Sequence, residues 1–499
     1  MAKILMVGSE AAPFASTGGL ADVLGALPKA LVEAGEEVAV TLPGYRAAAI
    51  PEARTIYERL QFPVGPHAYS ADIAESVQDG VRYLFVQIPG LYEGDGLYGE
   101  SGGDYPDNHL RFGALCQAAL RITHYIFAPQ ILHCHDWQAG LVPVLLKHVY
   151  SGHPSYLDIK TVFTIHNLPY QGLFPREALA DLGLPDTLFR PEILELKGGI
   201  SFLKAALTTS DVLNTVSPQY AKDIQTPEYG FGLDSVLRAR SKDLSGILNG
   251  ADYRSWDPAT DTAIAQQYDR DHLGGKQVCK RALLEELGLP AARLERPLIA
   301  IISRFAWQKG LDLLTTIPHE LAREDVSLVV LGSGEQPLED FFRWFAAAYP
   351  DRVAVRIGYE DELAHRVQAG ADMFLMPSRY EPCGLNQLHS LRYGTLPLVR
   401  ATGGLEDTVD GNTGFKFWGA NSHDLLECIR AALRVYGTPR WREMMRAAMQ
   451  RSFSWSASAA EYSKLYRVVL AGSERPLNQN SQNDHQDIGE RLKWQATTR

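Results

Sequence analysis

Short apolar runs alternate with amphipathic stretches along most of the chain. The first run, KILMVGSE, precedes LADVLGALPKALVEAG, in which apolar positions recur with a helical period up to about Gly35. We expect Pro28 to distort this helix locally. Short runs rich in Val, Ile or Leu, each followed by a helix-like segment, are typical of parallel strands covered on both faces. The pattern therefore predicts an α/β fold.

The predicted strands form two series of similar size. After KILMVGSE, the first series contains EEVAVTLP, RYLFVQIP, QILHCHD, KTVFTIHN, DVLNTVSP and SGILNG. The second series contains PLIAIISR, VSLVVLGSG, VAVRIGY, ADMFLMPS and LPLVRAT. The stretch between them, from about Tyr253 to Lys276, is polar and lacks periodicity, which is typical of a crossover between domains. The two series thus predict two Rossmann-like, doubly wound domains.

The same patterns give expected domain limits. We place the N-terminal domain at residues 1–252 and the C-terminal domain at residues 253–455. The segment WSASAAEYSKLYRVVLAG predicts a further helix, and we expect residues 456–472 to return to the N-terminal domain. The remaining residues, 473–499, are polar and are expected to be disordered.

Composition excludes several classes of protein. No apolar run approaches the roughly 18–20 residues of a membrane span, and KILMVG is too short for the apolar region of a signal peptide. The net charge of −11 argues against general nucleic-acid binding. We therefore expect a cytoplasmic protein that binds neither a membrane nor nucleic acid. The cysteines show no paired short spacing, which favours reduced thiols over a disulfide frame or a zinc site; they are Cys116, Cys134, Cys279, Cys383 and Cys428.

Two nearly identical hexapeptides, TGGLAD and TGGLED, begin at Thr17 and Thr402. In doubly wound sheets, ligands bind outside the carboxyl ends of the strands. Glycine there permits close approach of the backbone, and the N-terminus of the following helix attracts anions. One glycine pair in each predicted domain suggests that both face an interdomain cleft. Ordinary strand-to-helix turns would explain the two pairs equally well.

Polar side chains follow the ends of three strands in the first series: His133, His135 and Asp136; His166 and Asn167; and Asn249. Adjacent His and Asp could ligate a metal, but no further ligand completes a set at metal spacing. Asp136 could instead cap the following helix. An imidazole or amide at His166 and Asn167 could bind a hydroxyl-rich ligand, and a buried, satisfied histidine is the alternative. For Asn249, followed by Gly250, a plain turn is the alternative.

The motif SRFAWQKGLD carries two cations near a helix N-terminus. Arg304 ends a strand and Lys309 follows five residues later. Like charges beside a positive helix end are unfavourable unless an anion joins them. A pyrophosphate fits, because arginine suits bidentate contacts and lysine a point contact; a solvated basic surface is the alternative. The glycine Gly332, in LGSGE after the next strand, is a weak phosphate-loop signal.

The densest polar stretch is MPSRYEPCGLNQLHSLRYG. Glu381 lies between an apolar strand and a helix that begins near Leu385, and Pro382 and Gly384 make the turn tight. The carboxylate could accept sugar hydroxyls while backbone N–H groups meet phosphate oxygens. If Glu381 only capped the following helix, the carboxylate would be explained but the tight turn after it would not.

The chain resembles the bacterial glycogen synthase family, starch-synthase-like glycosyltransferases of the GT-B fold. The resemblance covers Lys3 to about Gly472, with motifs in the family's order and spacing. These motifs are SEAAPFASTGGLADVLGALPKAL, HDWQAGL, TIHNLPYQGLF, ILNGAD, SRFAWQKGLDLL, PSRYEPCGLNQLHSLRYGTLPLVRATGGLEDTV and NTGFKF. The resemblance implies an interdomain cleft and retaining transfer of glucose from ADP-glucose to the non-reducing end of an α-1,4-glucan. It implies no metal and no cofactor, since ADP-glucose is a substrate.

The resemblance also implies residue roles. In the N-terminal domain, Asp136 and His166 would lie at the reacting centre, with Asn167 beside them and Asn249 in the sugar pocket. In the C-terminal domain, Arg304 and Lys309 would contact the donor pyrophosphate, Glu381 the glucose hydroxyls and Tyr359 the base. Two phosphate-side turns are implied: Cys383, Gly384 and Leu385, and Thr402, Gly403 and Gly404.

One position departs from the family pattern. The family usually has a lysine before the first glycine turn, reaching toward the donor diphosphate and sugar, where this chain has Ser16. Gly18, Gly19 and Asp22 are kept. The departure leaves donor affinity and nucleotide preference open.

Three alternative functions follow from these observations. A retaining GT-B enzyme could use another nucleotide donor, such as UDP-glucose, or another acceptor. A glucan-binding homologue could have weakened catalysis, with Ser16 as its first sign. A generic Rossmann oxidoreductase is disfavoured because MVGSEAAPFASTGGL lacks the compact glycine fingerprint. No carboxylate pair stands out as nucleophile and acid, which favours front-face transfer assisted by the leaving group.

Overall fold

Two large β-sheets organise the protein, one in each half of the chain. The computed structural model describes residues 1–46, 52–100 and 103–472, and the tail expected to be disordered, residues 473–499, lies outside them. The strands of the N-terminal half are β1 (Lys3–Val7), β2 (Glu37–Pro43), β3 (Arg54–Val64), β4 (His67–Gln78), β5 (Val81–Gln87), β6 (Gly99–Glu100), β7 (Gly103–Asp104), β8 (Ile131–His135), β9 (Lys160–Ile165), β10 (Leu173–Phe174), β11 (Glu195–Leu196), β12 (Gly199–Ser201), β13 (Val212–Thr215) and β14 (Leu244–Gly246). Those of the C-terminal half are β15 (Leu298–Ile302), β16 (Ser327–Gly332), β17 (Val353–Ile357), β18 (Met373–Met376), β19 (Leu396–Arg400) and β20 (Phe415–Phe417).

Helices connect these strands and cover both sheets. They are α1 (Gly19–Glu33), α2 (Asn108–Tyr125), α3 (Leu141–Val144), α4 (Ala178–Asp181), α5 (Phe202–Thr209), α6 (Pro218–Asp223), α7 (Asp234–Ala239), α8 (Gly274–Glu286), α9 (Asp312–Thr315), α10 (Pro318–Arg323), α11 (Gln336–Ala348), α12 (Asp361–Gly370), α13 (Asn386–Arg392), α14 (Gly403–Thr408), α15 (Ser422–Val435), α16 (Pro439–Gln450) and α17 (Trp455–Ala471). Among the described residues, no helix has both the length and the apolar character needed to span a bilayer.

The first sheet has nine strands in the order β14-β13-β9-β8-β1-β2-β5-β4-β3. From β14 to β5 neighbouring strands are parallel, whereas β4 and β3 add an antiparallel edge. The parallel strands β1 and β8 are almost wholly buried, as expected for strands covered on both faces. The sequence did not reveal β3 and β4, because their residues alternate between solvent and core and form no continuous apolar run.

The second sheet has six strands in the order β17-β16-β15-β18-β19-β20. All of them are parallel. Strand β15 lies in the middle of the sheet between β16 and β18, so its carboxyl end meets theirs at one edge. That edge is where the polar motifs of the second series leave their strands, which is the general position of ligand sites in such sheets.

The first helix accommodates a proline without ending. Helix α1 continues through Pro28 to Glu33, and the chain turns away at Gly35, whose φ is +92°. Because Pro28 has no N–H, it cannot donate to the carbonyl of Leu24 one turn earlier. The hydroxyl of Tyr83 donates to that carbonyl instead, at 3.4 Å. A neighbouring strand thus compensates for the missing helical hydrogen bond.

The C-terminal helix packs against the N-terminal half of the protein. Helix α17 shares a hydrophobic core with α1 and β1. Its Tyr466 hydroxyl hydrogen-bonds His133 Nδ1 at 2.8 Å, and its Tyr462 hydroxyl accepts from Asn214 Nδ2 at 2.9 Å. These contacts tie the end of the described chain to β8 and β13. The domain limits given above stay a prediction.

Candidate active site

A cavity of about 290 Å³ opens at the carboxyl ends of β15, β16 and β18. Its walls include four residues predicted from the sequence: Arg304, Lys309, Gly332 and Tyr359. They also include four polar residues that the sequence analysis missed: Ser303, Ser333, Ser378 and Asn386. The three serines follow strand ends by one or two residues. Arg304 was identified as a polar residue after the carboxyl end of a strand, and the same criterion could have identified the serines.

Lys309 and Glu381 form an ion pair at this cavity. Lys309 Nζ lies 3.0 Å from Glu381 Oε1 and 2.7 Å from Oε2, and the Ser378 hydroxyl donates to Oε2 at 3.0 Å. Glu381 is only 5% exposed. Lys309 ends a short 3₁₀ turn, and Gly310 follows it with φ +66°. A Cβ at Gly310 would collide with the carbonyl oxygen of Pro377, so glycine is needed for the turn that points Lys309 at the carboxylate.

Arg304 provides a second cation at the same cavity. It follows β15, it is exposed, and among the described residues its guanidinium makes no hydrogen bond or ion pair. The structure therefore brings Arg304 and Lys309 together, as the sequence predicted. The charge of Lys309 is balanced by Glu381, whereas that of Arg304 remains available to an anion.

The loop that carries Glu381 is fixed by the helix that follows it. Gly384 has φ +75°, which favours glycine. The side-chain amide of Gln387 donates to the carbonyls of Cys383 and Gly384, at 2.9 and 3.1 Å. Leu385 directly precedes α13. These bonds hold the loop in a tight turn from within, as the spacing of glycine and proline in the motif suggested.

The second glycine pair packs against this loop. A Cβ at Gly403 would collide with the carbonyl oxygen of Glu381, and one at Gly404 with that of Cys383. The Gly404 N–H donates to the Glu381 carbonyl at 3.1 Å, and the Gly403 N–H donates to Asp223 Oδ2 at 2.9 Å. Protein acceptors thus take both amides, and Thr402, the N-cap of α14, is buried. The contact that this pair makes with phosphates by resemblance stays a prediction.

Two short helices link the domains by capping each other, a feature that the sequence did not reveal. Asp223, the last residue of α6, accepts from Gly403 at the start of α14. Asp407, in the last turn of α14, accepts from the backbone N–H of Gln219 at the start of α6, at 2.8 Å. Burial raises the pKa of Asp407 to about 6. Each helix N-terminus therefore meets a carboxylate from the opposite domain, as the helix dipole favours.

The first glycine pair has a different environment. Apart from the adjoining backbone, no atom of the residues that the structure describes lies within 4 Å of a Cβ built on Gly18 or Gly19. The preceding residue, Thr17, is held by Glu10, which accepts from its backbone N–H at 2.5 Å and from its hydroxyl at 2.7 Å. Ser16 is exposed. The turn is therefore held from one side and has open space on the other.

Asp136 lies at the end of β8 and fixes the end of β9. Its Oδ1 accepts from the backbone N–H of His166 at 2.7 Å, and the backbone of Asn167 also donates to the carboxylate. Burial raises the pKa of Asp136 to about 7, although these hydrogen bonds oppose the shift. Asp136 makes no side-chain bond to the turn at residues 137–139. Its expected alternative role as a helix cap is therefore wrong.

Three histidines lie side by side behind Asp136. His135 Nδ1 and His166 Nε2 are 2.9 Å apart, and burial lowers the pKa of His166 to about 3. His133 is fully paired, with Tyr466 and with the hydroxyl of Thr164, so it is a satisfied core histidine. Within the part of the chain that the structure describes, no group of three or more His, Cys, Asp or Glu side chains could hold a metal ion.

Two amide oxygens near the cleft have no partner. Asn167 Oδ1 and Asn249 Oδ1 are buried and accept no hydrogen bond among the described residues. The backbone N–H of Asn249 bonds the thiol of Cys383, which brings this turn against the Glu381 loop. Both oxygens are therefore free to accept a hydrogen bond from a bound molecule.

Tyr359 stands at the rim of the cavity. Its ring is 65% exposed, and its hydroxyl donates to Asp361 at 3.0 Å. Partial burial, this hydrogen bond and the charge of Asp22 raise the pKa of Tyr359. Asp22 belongs to the N-terminal domain and makes the smallest of these contributions. An exposed aromatic face beside a cavity that contains Arg304 and Lys309 is suited to stacking on a planar ring.

Protein-family models and relatives match nearly the whole chain. The model described as starch synthase catalytic domain matches residues 3–239, and that described as glycosyl transferases group 1 matches residues 290–450. A glycogen synthase of Koribacter versatilis is 47% identical over 472 residues, covering 93% of this chain and 97% of that protein. A glycogen synthase of Anaeromyxobacter dehalogenans is 47% identical over 482 residues, covering 94% and 99%.

Solved structures have the same architecture. The catalytic domain of starch synthase IV from Arabidopsis thaliana, bound to ADP and acarbose, superposes with a TM-score of 0.86 at 31% identity and covers 94% of this chain and 99% of that one. The sucrose-phosphate synthase of Thermosynechococcus elongatus, at 18% identity and a TM-score of 0.59, shares the fold. The predicted arrangement of two Rossmann-like domains is confirmed.

Proposed function

This chain belongs to the glycogen synthase family of retaining GT-B glycosyltransferases, and we propose that it transfers glucose from ADP-glucose to the non-reducing end of an α-1,4-glucan. ADP is the second product. The ADP in the starch synthase IV structure supports the choice of nucleotide, and the name shared by the relatives supports glycogen as acceptor. The reaction would take place in the cytoplasm and need no metal and no cofactor.

The ion pair between Lys309 and Glu381 carries the proposal. It places a cation and a carboxylate within 3 Å of each other, at a cavity that also contains Arg304. A sugar nucleotide has the complementary pattern, with a diphosphate next to a ring of hydroxyls. Arg304 and Lys309 would bind the diphosphate, and Glu381 would accept hydrogen bonds from the glucose hydroxyls.

The chemistry follows from the same geometry. When the bond between the anomeric carbon and the phosphate oxygen breaks, negative charge develops on ADP, and Arg304 and Lys309 stabilise it. The acceptor hydroxyl forms the new bond on the face that ADP leaves, and its proton passes to the departing phosphate oxygen. Glu381 is occupied by Lys309 and Ser378, so we assign it to holding the sugar and not to attacking it.

The N-terminal domain would complete the reacting centre. Asp136 holds the backbone at His166 and Asn167, so it positions this loop. The unpartnered oxygens of Asn167 and Asn249 would accept from hydroxyls of the transferred sugar or of the acceptor. His166, neutral at physiological pH because burial lowers its pKa to about 3, can hydrogen-bond a hydroxyl without adding positive charge.

The test is incorporation of labelled glucose into glycogen from ADP-glucose and from UDP-glucose. We expect kcat/KM for ADP-glucose to be at least about tenfold higher, equivalent to roughly 1.4 kcal/mol. Equal or higher efficiency with UDP-glucose would contradict the proposed donor. The absence of incorporation from either nucleotide would favour a glucan-binding homologue with weakened catalysis.

A further inference from the structure

The Glu381 loop is held from both domains of the protein. Lys309 and Ser378 contact the carboxylate of Glu381 from within the C-terminal domain. The backbone of the loop packs against the start of α14, which in turn is hydrogen-bonded to the N-terminal domain. We propose that Asp223 and Tyr229, in the N-terminal domain, are positioning residues that fix the Glu381 loop for transfer. This inference rests on the proposed function, because it takes Glu381 to hold the glucose that is transferred.

The first link joins Asp223 to the start of α14. Asp223 Oδ2 accepts from the backbone N–H of Gly403 at 2.9 Å, and its Oδ1 accepts from the side-chain amide of Gln219 at 2.8 Å. Burial raises the pKa of Asp223, and its hydrogen bonds with Gln219 and Gly403 and the charge of Arg400 oppose the shift. Because Gln219 lies one turn earlier on α6, its bond to Oδ1 keeps Oδ2 directed at Gly403.

The second link joins the start of α14 to the Glu381 loop. A Cβ at Gly403 would lie 1.9 Å from the carbonyl oxygen of Glu381, and one at Gly404 would lie 2.2 Å from that of Cys383. The Gly404 N–H also donates to the Glu381 carbonyl at 3.1 Å. The contact is made by closely packed backbone atoms, which cannot rotate away as a flexible side chain can. A shift at the start of α14 would therefore displace the backbone of Glu381.

A hydrogen bond in the opposite direction fixes α6 against α14. Asp407 Oδ2, in the last turn of α14, accepts from the backbone N–H of Gln219 at 2.8 Å, and the side chain of Ser217 also bonds the Asp407 carboxylate. Gln219 thus gives its backbone N–H to Asp407 and its side-chain amide to Asp223. A displacement of α6 relative to α14 would break the hydrogen bonds in both directions.

Arg400 connects the N-terminal domain to the other end of the Glu381 loop. Its Nη2 donates to the hydroxyl of Tyr229 at 3.0 Å, and its Nη1 donates to the carbonyl of Arg379, two residues before Glu381. Arg400 is only 8% exposed, and the planar guanidinium holds its donors in a fixed geometry. Tyr229 follows Asp223 by six residues. One short segment of the N-terminal domain therefore reaches the Glu381 loop by two separate routes.

Substitutions of Asp223 test the positioning role. Asp223→Ala removes the acceptor for the Gly403 N–H, so kcat for transfer from ADP-glucose to glycogen should fall about tenfold. Asp223→Asn keeps an acceptor oxygen, and Gln219 can turn its own amide oxygen to the new NH₂ group, so kcat should stay within about threefold of the wild type. The dissociation constant for ADP should change less than about threefold in both variants. The matched control, Asp186→Ala, removes an exposed carboxylate of the same domain and should keep the wild-type kcat.

A double-mutant cycle with Glu381→Gln shows whether Asp223 acts through Glu381. Once the charge of Glu381 is gone, its exact position matters less, so adding Asp223→Ala should lower kcat by less than about twofold. A tenfold fall in both backgrounds would show that Asp223 acts independently of Glu381 and would overturn the assignment. An unchanged kcat in folded Asp223→Ala, or the same fall in Asp186→Ala, would overturn it too.

Failure of the positioning role and failure of the proposed function are distinguishable. Wild-type protein that transfers no glucose from ADP-glucose to glycogen would overturn the proposed function itself. Thermal melting would show whether the variants are folded. If Asp223→Ala does not fold, Tyr229→Phe removes only the hydroxyl that accepts from Arg400, and kcat should fall about threefold without a change in ADP affinity. An unchanged kcat in Tyr229→Phe would then overturn the inference.

Discussion

Replacing Glu381 by glutamine should separate binding of the nucleotide from transfer of the sugar. The variant keeps the shape of the side chain and removes its charge. In the structure the carboxylate is 5% exposed and contacts Lys309 and Ser378. If it accepts hydrogen bonds from two glucose hydroxyls, its charge matters most for the sugar. The diphosphate would contact Arg304 and Lys309, which the substitution leaves in place.

The expected magnitude follows from these contacts. A hydrogen bond to a charged group contributes roughly 1.5–3 kcal/mol, so two would contribute about 3–6 kcal/mol. At about 1.4 kcal/mol for each factor of ten, kcat/KM for ADP-glucose should fall by about 10²-fold to 10⁴-fold, with the lower value expected because glutamine still accepts one bond. Lys309 is about one-fifth exposed. Losing its partner should therefore cost less stability than the roughly 3–5 kcal/mol of a fully buried pair.

Steady-state rates with glycogen and calorimetric titration with ADP would measure the two effects. The dissociation constant for ADP should change by less than about threefold, because Lys309 can turn its charge fully to the phosphate. Glu285→Gln, an exposed carboxylate on α8, is the matched control and should alter neither quantity. If ADP binding weakens by the same factor as kcat/KM, Glu381 acts by organising the phosphate site and the assignment to glucose is refuted.

Three further predictions concern other residues of the cleft. Asp136→Asn should abolish a pH dependence of stability, because burial raises the pKa of Asp136 to about 7 in the folded protein. Between about pH 4 and pH 7 the unfolding free energy of the wild type should fall by up to about 4 kcal/mol relative to that of the variant. If urea titrations give the same difference in unfolding free energy at every pH, the prediction is contradicted. Ser16→Lys should raise kcat/KM for ADP-glucose about tenfold if only a lysine contact was lost; unchanged or lower efficiency would indicate a remodelled donor site. Gly403→Ala should lower both the melting temperature and kcat, because Gly403 has φ +46° and a Cβ there would collide with the Glu381 carbonyl. The control Gly411→Ala should change neither, because the described residues leave open space beside Gly411.

The sequence predicted the elements that are decided locally. Continuous apolar runs identified the buried parallel strands, and the motif that follows one of them identified Arg304 and Lys309. Because parallel strands in one sheet end at one edge, residues far apart in sequence could be placed near each other without knowing the full fold. The same rule extends to Ser303, Ser333 and Ser378, which line the cavity.

Contacts between domains could not be predicted in this way. The carboxylates Asp223 and Asp407 look like ordinary helix residues in the sequence, yet each accepts from the first turn of a helix in the other domain. Their roles depend on how the two sheets are placed relative to each other, which no local pattern encodes. Strands β3 and β4 were missed for a related reason, since one face of this hairpin is solvated and the apolar signal is halved.

The two similar hexapeptides show why a motif alone does not fix a role. Gly18 is the N-cap of α1 and Gly19 its first residue, and the described residues leave open space beside both, so glycine there leaves room for a ligand to approach the backbone. Gly403 and Gly404 are the first two residues of α14, but the Glu381 loop fills the space beside them and takes one of their amides. Glycine at the second site therefore serves close packing of two protein segments, and it helps to set the position of the Glu381 loop. In both hexapeptides, glycine allows another group to approach the backbone closely. Whether that group belongs to the protein or to a ligand depends on which chain segment lies beside the motif.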